Sequence, residues 1–350
     1  MTAQTPRTTA SERFLHAAAA YQRVFVVTHD NPDPDAVATG WAIALLVQEK
    51  LGKEVRLLGG GDILRAENRH MVELLSPPIE LVPRIDCPEG TAVVLVDCQP
   101  GSENHIVCDS DVVLMAAIDH HPTRGPRAKL AFRDIRPRVA ASASIAASYL
   151  REQGLAPGTK LATALLFAIR TETRGGETYH SRLDRSVLPW LTERADPRLL
   201  AEIDSAPLRP AYYGDLILAL QNTFLYGDSA LCLLPRASGP EIVGEVADLL
   251  IRCEAIFRVL CGAVVHGDMV LSIRTRRDDD DAGELARTTL EGLGSAGGHL
   301  HRAGGKVSGL KISEAVQEDL RRRWLEACNV GNRRGVRLVA LREIKENLAR

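Results

Sequence analysis

The sequence predicts an α/β protein, with a parallel sheet flanked by helices in the N-terminal part and a smaller α/β domain behind it. Three observations carry this reading. Short, branched, nearly continuous apolar runs recur at 24–28 (VFVVT), 92–96 (AVVLV) and 112–118 (VVLMAAI), the pattern of strands covered on both faces as in parallel sheets. Segments of helical length separate them. A second composition begins after about residue 215, with β-like runs and a glycine-rich stretch.

The elements follow in order. AVATGWAIALLVQEKLG (36–52) has the length and small-residue content of a crossover helix closed by Gly52, and EVRLLGG (54–60) reads as a further strand. Residues 141–152 and 159–170 read as helices, and a stretch punctuated by proline and charge at about 190–215 reads as a connector. EIVGEVADLLIRC (241–253) has helical period, two β-like runs flank His266-Gly267-Asp268, and a Gly-rich segment covers 292–309. The tail ends in the helix-like LVALREIKENLAR and is expected to pack as a capping helix. The expected divisions are 1–190, a helical linker at 191–225, a second domain at 226–313 and a helical extension at 314–350.

Composition bounds the function. The 350 residues suit about two domains of roughly 100–200 residues each. A net charge of −2 supplies no global basic field for long nucleic acid, so any anion site is local. The start lacks the order of a secretory signal, and no run reaches the ~18 apolar residues of a membrane span, so a cytoplasmic protein without membrane contact is expected. Seven scattered cysteines without a Cys-x-x-Cys pair read as reduced thiols. The run Asp278–Asp281 reads as a solvated loop, because four consecutive acids cannot face one ion.

The chemistry gathers where the first strands end. The loop His29-Asp30-Asn31-Pro32-Asp33-Pro34-Asp35 leaves one strand, Asp97 follows another, and Asp119-His120-His121 follows a third. Ligands in open α/β sheets collect outside the carboxyl ends of strands. Taken alone, the first loop also reads as an Asx-rich turn with a helix cap; convergence with the other two segments favours a metal site. Mixed imidazole and carboxylate donors suit Mn²⁺ or a similar ion better than Ca²⁺ or structural zinc. Asp33, Asp35, Asp97 and a fourth acid balance two dications, which leaves attraction for a phosphate and an acidified water as nucleophile.

HDNPDPDA, LVDC and IDHH, in this order, resemble motifs one to three of the DHH phosphoesterases. Ser272-Ile273-Arg274 and GSAGGHLHRAGG (294–305) resemble the signatures of the accessory DHHA1 domain, and the pairing looks most like hydrolases of short oligoribonucleotides and of 3′-phosphoadenosine phosphate. The resemblance spans about residues 20–312. It implies that His29, Asp33 and Asp97 hold one metal and that Asp35, Asp97 and His120 hold a second. It also implies that His121 contacts the scissile phosphate, that Asp119 orients a ligand from behind, and that Arg274 binds a phosphate. His299 would meet a base or terminal phosphate, with close backbone approach at Gly297 and Gly298. The fourth motif departs: Glu172, in AIRTET (168–173), stands where the family places an aspartate, and Ser295-Ala296 and Arg302 alter the glycine signature. The expected cofactors are two divalent ions, Mn²⁺ first among them. The expected partner is a short RNA or DNA oligonucleotide or a nucleotide, and a homodimer is the assembly considered. Hydrolysis of pyrophosphate or polyphosphate, and a catalytically idle nucleotide-binding protein, are the alternatives.

Overall fold

In the computed structural model the first strand lies inside its sheet, with a parallel neighbour on each side. The structure describes residues 8–102, 104–107, 112–123, 128–173, 181–309, 313–331 and 333–339, and the His299 side chain lies outside what it describes. The chain divides into two compact units, Met1–Pro207 and Leu208–Arg350.

The first unit holds strands β1 (Arg23–Val27), β2 (Glu54–Gly59), β3 (Ile79–Leu81), β4 (Thr91–Val96), β5 (Leu114–Asp119) and β6 (Phe132–Ile135). They form one sheet in the order β3-β2-β1-β4-β5-β6, and every pair is parallel. The order reverses between β1 and β4, which is where an open parallel sheet leaves a crevice for ligands. Helices are α1 (Ala10–Ala19), α2 (Pro34–Leu51), α3 (Ala66–Leu75), α4 (Ser142–Glu152), α5 (Thr159–Glu172), α6 (Arg182–Thr192) and α7 (Pro197–Asp204). Val24, Val26, Val94, Val96 and Ile118 face one core with Ile43, Leu46, Ile145 and Leu165, whereas Phe25, Val27, Val93 and Leu95 face a second. Burial on both sides is why these strands are apolar without alternation.

The helix after β1 starts and stops for local reasons. Asp33 caps α2 by accepting the Ala36 N–H at 3.0 Å, Pro34 supplies a preset φ at the first helical position, and Gly52 ends the helix at φ 60°. The cap fixes the Asp33 backbone at the entry to the helix whose first turn carries Asp35.

The second unit holds α8 (Pro210–Gln221), β7 (Thr223–Tyr226), β8 (Ser229–Leu234), α9 (Glu241–Leu250), β9 (Arg258–Val265), β10 (Asp268–Thr275), α10 (Ala282–Leu290), β11 (Ser295–His299), β12 (Arg302–Val307), α11 (Glu314–Ala327) and β13 (Val336–Arg337). The sheet order is β11-β12-β10-β9-β8-β7-β13, with β8 and β9 parallel around the α9 crossover. His266 and Gly267, at φ 49° and 89°, turn β9 into β10, as a two-residue hairpin requires. The glycine-rich stretch forms the β11–β12 hairpin. A Cβ at Gly298 would lie 2.3 Å from Ala303 Cα, so glycine there lets two strands approach. Trp324 of α11 is buried in the core of this unit, and of the helix-like terminal segment residues 340–350 lie outside the described residues.

The acidic run at 278–281 lies in the loop before α10, with Asp278 and Asp279 exposed, and three of its acids also have partners. Asp280 accepts two hydrogen bonds from Arg258 at 2.6 and 2.9 Å, Asp279 pairs with Arg277, and Asp281 caps α10. Among the described residues no helix is long and apolar enough to cross a membrane.

Candidate metal centre

Three strand ends and two helix ends build one acidic cluster in the first unit. Asp97, the first residue past β4, has a left-handed backbone at φ 56°, a conformation Asp tolerates better than most residues. Its carboxylate is buried and central: Oδ2 lies 3.5 Å from His29 Nε2, and Oδ1 lies 3.6 Å from His120 Nε2. His29 Nε2 also lies 3.8 Å from Asp33 Oδ1, and His120 Nε2 lies 3.8 Å from Asp35 Oδ2. Asp97 thus belongs to two donor groups, His29–Asp33–Asp97 and Asp97–His120–His121, with Asp35 beside the second.

These gaps are too long for hydrogen bonds. They match two donors meeting one dication at ~2.1 Å each across an open angle. The His29 ring donates to the Asp30 carbonyl through Nδ1 at 2.9 Å, so Nδ1 carries a proton and Nε2 is the nitrogen that faces the acids. Burial disfavours charge on His29, yet the Asp33 and Asp97 carboxylates beside it raise its pKa well above the ordinary imidazole value. The acids favour positive charge at Nε2, as a proton or as a metal ion that replaces it. Burial lowers the pKa of His120, which keeps that imidazole neutral and able to ligate.

Asp35 shows the same need for positive charge. Burial, and then the charges of Asp97, Glu172 and Asp33, raise its pKa well above the usual carboxylate range. The first turn of α4 opposes this. Ala141 offers that helix no side-chain cap, and Asp35 substitutes from across the core by accepting the N–H groups of Ser142 and Ala143 at 2.7 Å each. Ser142 Oγ donates to Asp97 Oδ1 at 2.9 Å. Glu172, the last residue of α5, brings its charge to the same cluster, despite the extra methylene.

Asp119 works on His121. Its Oδ1 accepts the His121 ring Nδ1–H at 2.8 Å and backbone N–H at 3.1 Å. Burial pulls the His121 pKa down, but Asp119, Asp97 and Asp33 prevail and push it up to about 9.

Several supporting residues escaped the sequence reading. The Gly59–Gly61 run forms a shelf under the first loop: a Cβ at Gly60 would meet Asp30 Oδ1 at 2.0 Å, and one at Gly61 would meet Asn31 Oδ1 at 2.4 Å. Asn31, at φ 54°, donates its N–H to the Gly60 carbonyl at 2.9 Å. Three consecutive glycines at a strand end were the available signal. Ser142 and Gln99 gave none beyond their positions at a helix start and a strand end.

The remaining predicted residues lie in the second unit. Arg274, on β10, is 5% exposed and donates to Asp248 Oδ1 at 2.6 Å, Ser272 Oγ at 2.7 Å and the Ile273 carbonyl at 2.9 Å. Register aligns Arg274 with Arg302, and Arg302 with His299. A Cβ at Gly297 would meet open space, so of these two glycines Gly298 alone is sterically required by the fold. His70 faces Glu73 and Glu202, and Arg170 pairs with Asp204; neither joins the cluster.

The chain is similar to several known proteins. The uncharacterized protein MJ1633 of Methanocaldococcus jannaschii is 30% identical over 296 residues, covering 84% of this chain but only 60% of that protein. The chain therefore spans less than two thirds of that relative. An exopolyphosphatase-related protein from Bacteroides fragilis shares the fold with a TM-score of 0.72 at 16% identity, over 93% of this chain and 99% of its own. RecJ from Thermus thermophilus, solved in complex with Mn²⁺, matches with a TM-score of 0.54 at 16% identity, over 94% of this chain and 56% of its own. Residues 23–169 match the DHH family, N-terminal domain, the segment that carries His29, Asp33, Asp35, Asp97 and His120.

Proposed function

We propose that the chain is a metal-dependent phosphoester hydrolase that cleaves short oligonucleotides, dinucleotides included, or nucleoside 3′,5′-bisphosphates. One observation carries the reading: a single buried carboxylate, Asp97, faces His29 and Asp33 on one side and His120 and Asp35 on the other. In this reading His29, Asp33 and Asp97 hold one divalent ion, Asp35, Asp97, His120 and Glu172 hold a second, and Mn²⁺ suits the donor mixture. Bound dications supply a water acidic enough to attack phosphorus at neutral pH and charge to offset that developing on phosphoryl oxygens.

The chain's own groups do the rest. Asp119 pins the Nδ1 proton of His121, which leaves Nε2 for a non-bridging phosphate oxygen. The α4 N-terminus holds Asp35 in place, so the cluster keeps its shape without rearrangement. In the second unit Arg274 addresses a substrate phosphate from one fixed orientation, and His299 with Gly297 and Gly298 meets a base or terminal phosphate. A cytoplasmic location goes with this reading.

The test is product analysis with labelled dinucleotides, adenosine 3′,5′-bisphosphate, pyrophosphate and polyphosphate side by side under Mn²⁺. Mn²⁺-dependent release of mononucleotide or of phosphate from the bisphosphate is the expected result. Faster cleavage of pyrophosphate or polyphosphate would overturn the substrate class. Binding without turnover on every substrate would make the protein a nucleotide sensor.

A further inference from the structure

Gln99 lies two residues beyond Asp97, where β4 has ended, and its amide is fully addressed. Oε1 accepts from Thr123 Oγ1 at 2.7 Å and from Arg133 Nη2 at 3.1 Å. A guanidinium has no acceptor, so the atom facing Arg133 is the oxygen and the amide orientation is settled. Nε2 then donates to Asp119 Oδ2 at 2.7 Å and to the His121 carbonyl at 2.9 Å. Arg133 also donates to Thr123, and the Gln99 carbonyl accepts from Ser102 Oγ at 2.8 Å. The side chain cannot flip without losing four partners.

Its reach matters more than the number of bonds. In the sheet β5 lies between β4 and β6, so Gln99 at the β4 end joins Asp119 at the β5 end to Arg133 on β6. Asp119 has two oxygens, and Gln99 takes Oδ2. Oδ1 is thereby turned to the ring and backbone of His121. A carboxylate bonded only to His121 could rotate about its Cα–Cβ and Cβ–Cγ bonds, and the imidazole would follow.

We propose that Gln99 is a positioning residue for His121: anchored by Arg133 and Thr123, it fixes the Asp119 carboxylate that aims the ring. The claim rests on His121 meeting the scissile phosphate, as in the functional reading above. It assigns Gln99 no contact with metal or substrate. Its removal therefore acts on the chemical step more than on binding.

The experiment uses the full chain with Gln99→Met, which keeps the shape and removes every amide bond, and Gln99→Glu. The glutamate keeps its acceptor bonds from Thr123 and Arg133 but turns a second carboxylate toward Asp119. Turnover and KM are measured on the best substrate of the panel, Mn²⁺ affinity by calorimetry, and the His121 ring Nδ1–H by ¹⁵N NMR in the metal-free protein. Both variants are expected to lose about 10–100-fold in kcat, with KM and Mn²⁺ affinity within about threefold of wild type, and to lose the bonded Nδ1–H signal. Wild-type kcat in Gln99→Glu would reduce Gln99 to an anchor for the Thr123 loop and overturn the proposal. So would a fall in Mn²⁺ affinity that tracks kcat, which would place its effect on the metal ligands. If the wild type turns over nothing in the panel, the functional reading fails by itself. NMR then decides the positioning claim: the signal present in wild type and absent from both variants upholds it, and its persistence in both overturns it.

Discussion

Ser142 donates its backbone N–H to Asp35 Oδ2 at 2.7 Å, across 107 residues of sequence. A carboxylate on the first turn of one helix thus serves as the missing cap of another, and the partial positive charge of the α4 N-terminus offsets part of the repulsion among the acids. The Ser142 hydroxyl extends this to Asp97. Ser142→Ala keeps the backbone bond and removes the second one. It should weaken Mn²⁺ binding about 10-fold in calorimetry while lowering stability by only about 1 kcal/mol. Unchanged affinity would show that the hydroxyl does not orient Asp97.

Asp97 is the residue common to both donor groups. Asp97→Asn preserves volume but removes the shared charge, so calorimetry should find fewer than two Mn²⁺ bound and turnover should fall by on the order of 10³-fold or more. Metal-free melting should not drop in step, because a repulsion that raises the Asp35 pKa is lifted. Near-normal turnover with full occupancy would remove Asp97 from the site.

Glu172 separates an enzyme from a sensor. Glu172→Ala should weaken the second Mn²⁺ equivalent and cost about 10²-fold in turnover, whereas Glu172→Asp should stay near wild type. Equal, undetectable turnover in all three proteins, with nucleotide binding intact, would favour the sensor.

The glycine shelf gives a prediction about shape. Gly60→Ala puts a methyl 2.0 Å from Asp30 Oδ1 and 2.7 Å from Ile106 Cγ2, so the loop carrying His29 and Asp33 must move. A stability loss of about 1–3 kcal/mol and weaker Mn²⁺ binding should follow. Gly214→Ala, inside α8 and meeting nothing within 4 Å, should instead stabilise by about 0.5–1 kcal/mol. Urea denaturation of both variants compares them directly.

The pH dependence has a definite sign. The metal-free folded protein binds the His121 proton more tightly than the unfolded chain does: burial opposes this, but Asp119, Asp97 and Asp33 raise the pKa from 6.5 to about 9. The resulting stability is complete below about 6.5 and is lost as pH rises to about 9. Melting temperature in EDTA should therefore fall across this window, and His121→Gln should flatten the fall. A rise in its place would contradict the ion pairing around Asp119.

Much of the first unit was legible because its physics is local or periodic. β1 and β4 are buried on both faces and read as unbroken apolar runs; α2 carries its own cap in Asp33 and its own stop in Gly52. His29, Asp97, His120 and His121 stood out as polar groups directly after such runs. The support behind them did not. Gln99 becomes meaningful only once β5 brings Asp119 beside it and β6 brings Arg133. The cap on α4 was hidden because it comes from Asp35 rather than from the preceding Ala141. In the second unit β11 and β12 escaped because glycines carry no inside-outside alternation, their pairing resting on close backbone approach at Gly298. At 278–281, charge density alone does not reveal that Arg258 waits on a neighbouring strand for Asp280.

The span of the cluster has a consequence for biogenesis. His29 leaves the ribosome ahead of the amide groups that steady Asp35, which arrive with Ser142 and Ala143, and the last acid arrives with Glu172. A nascent chain halted before α4 carries the first loop without its grip, so the cluster is completed late, once α4 and α5 have docked.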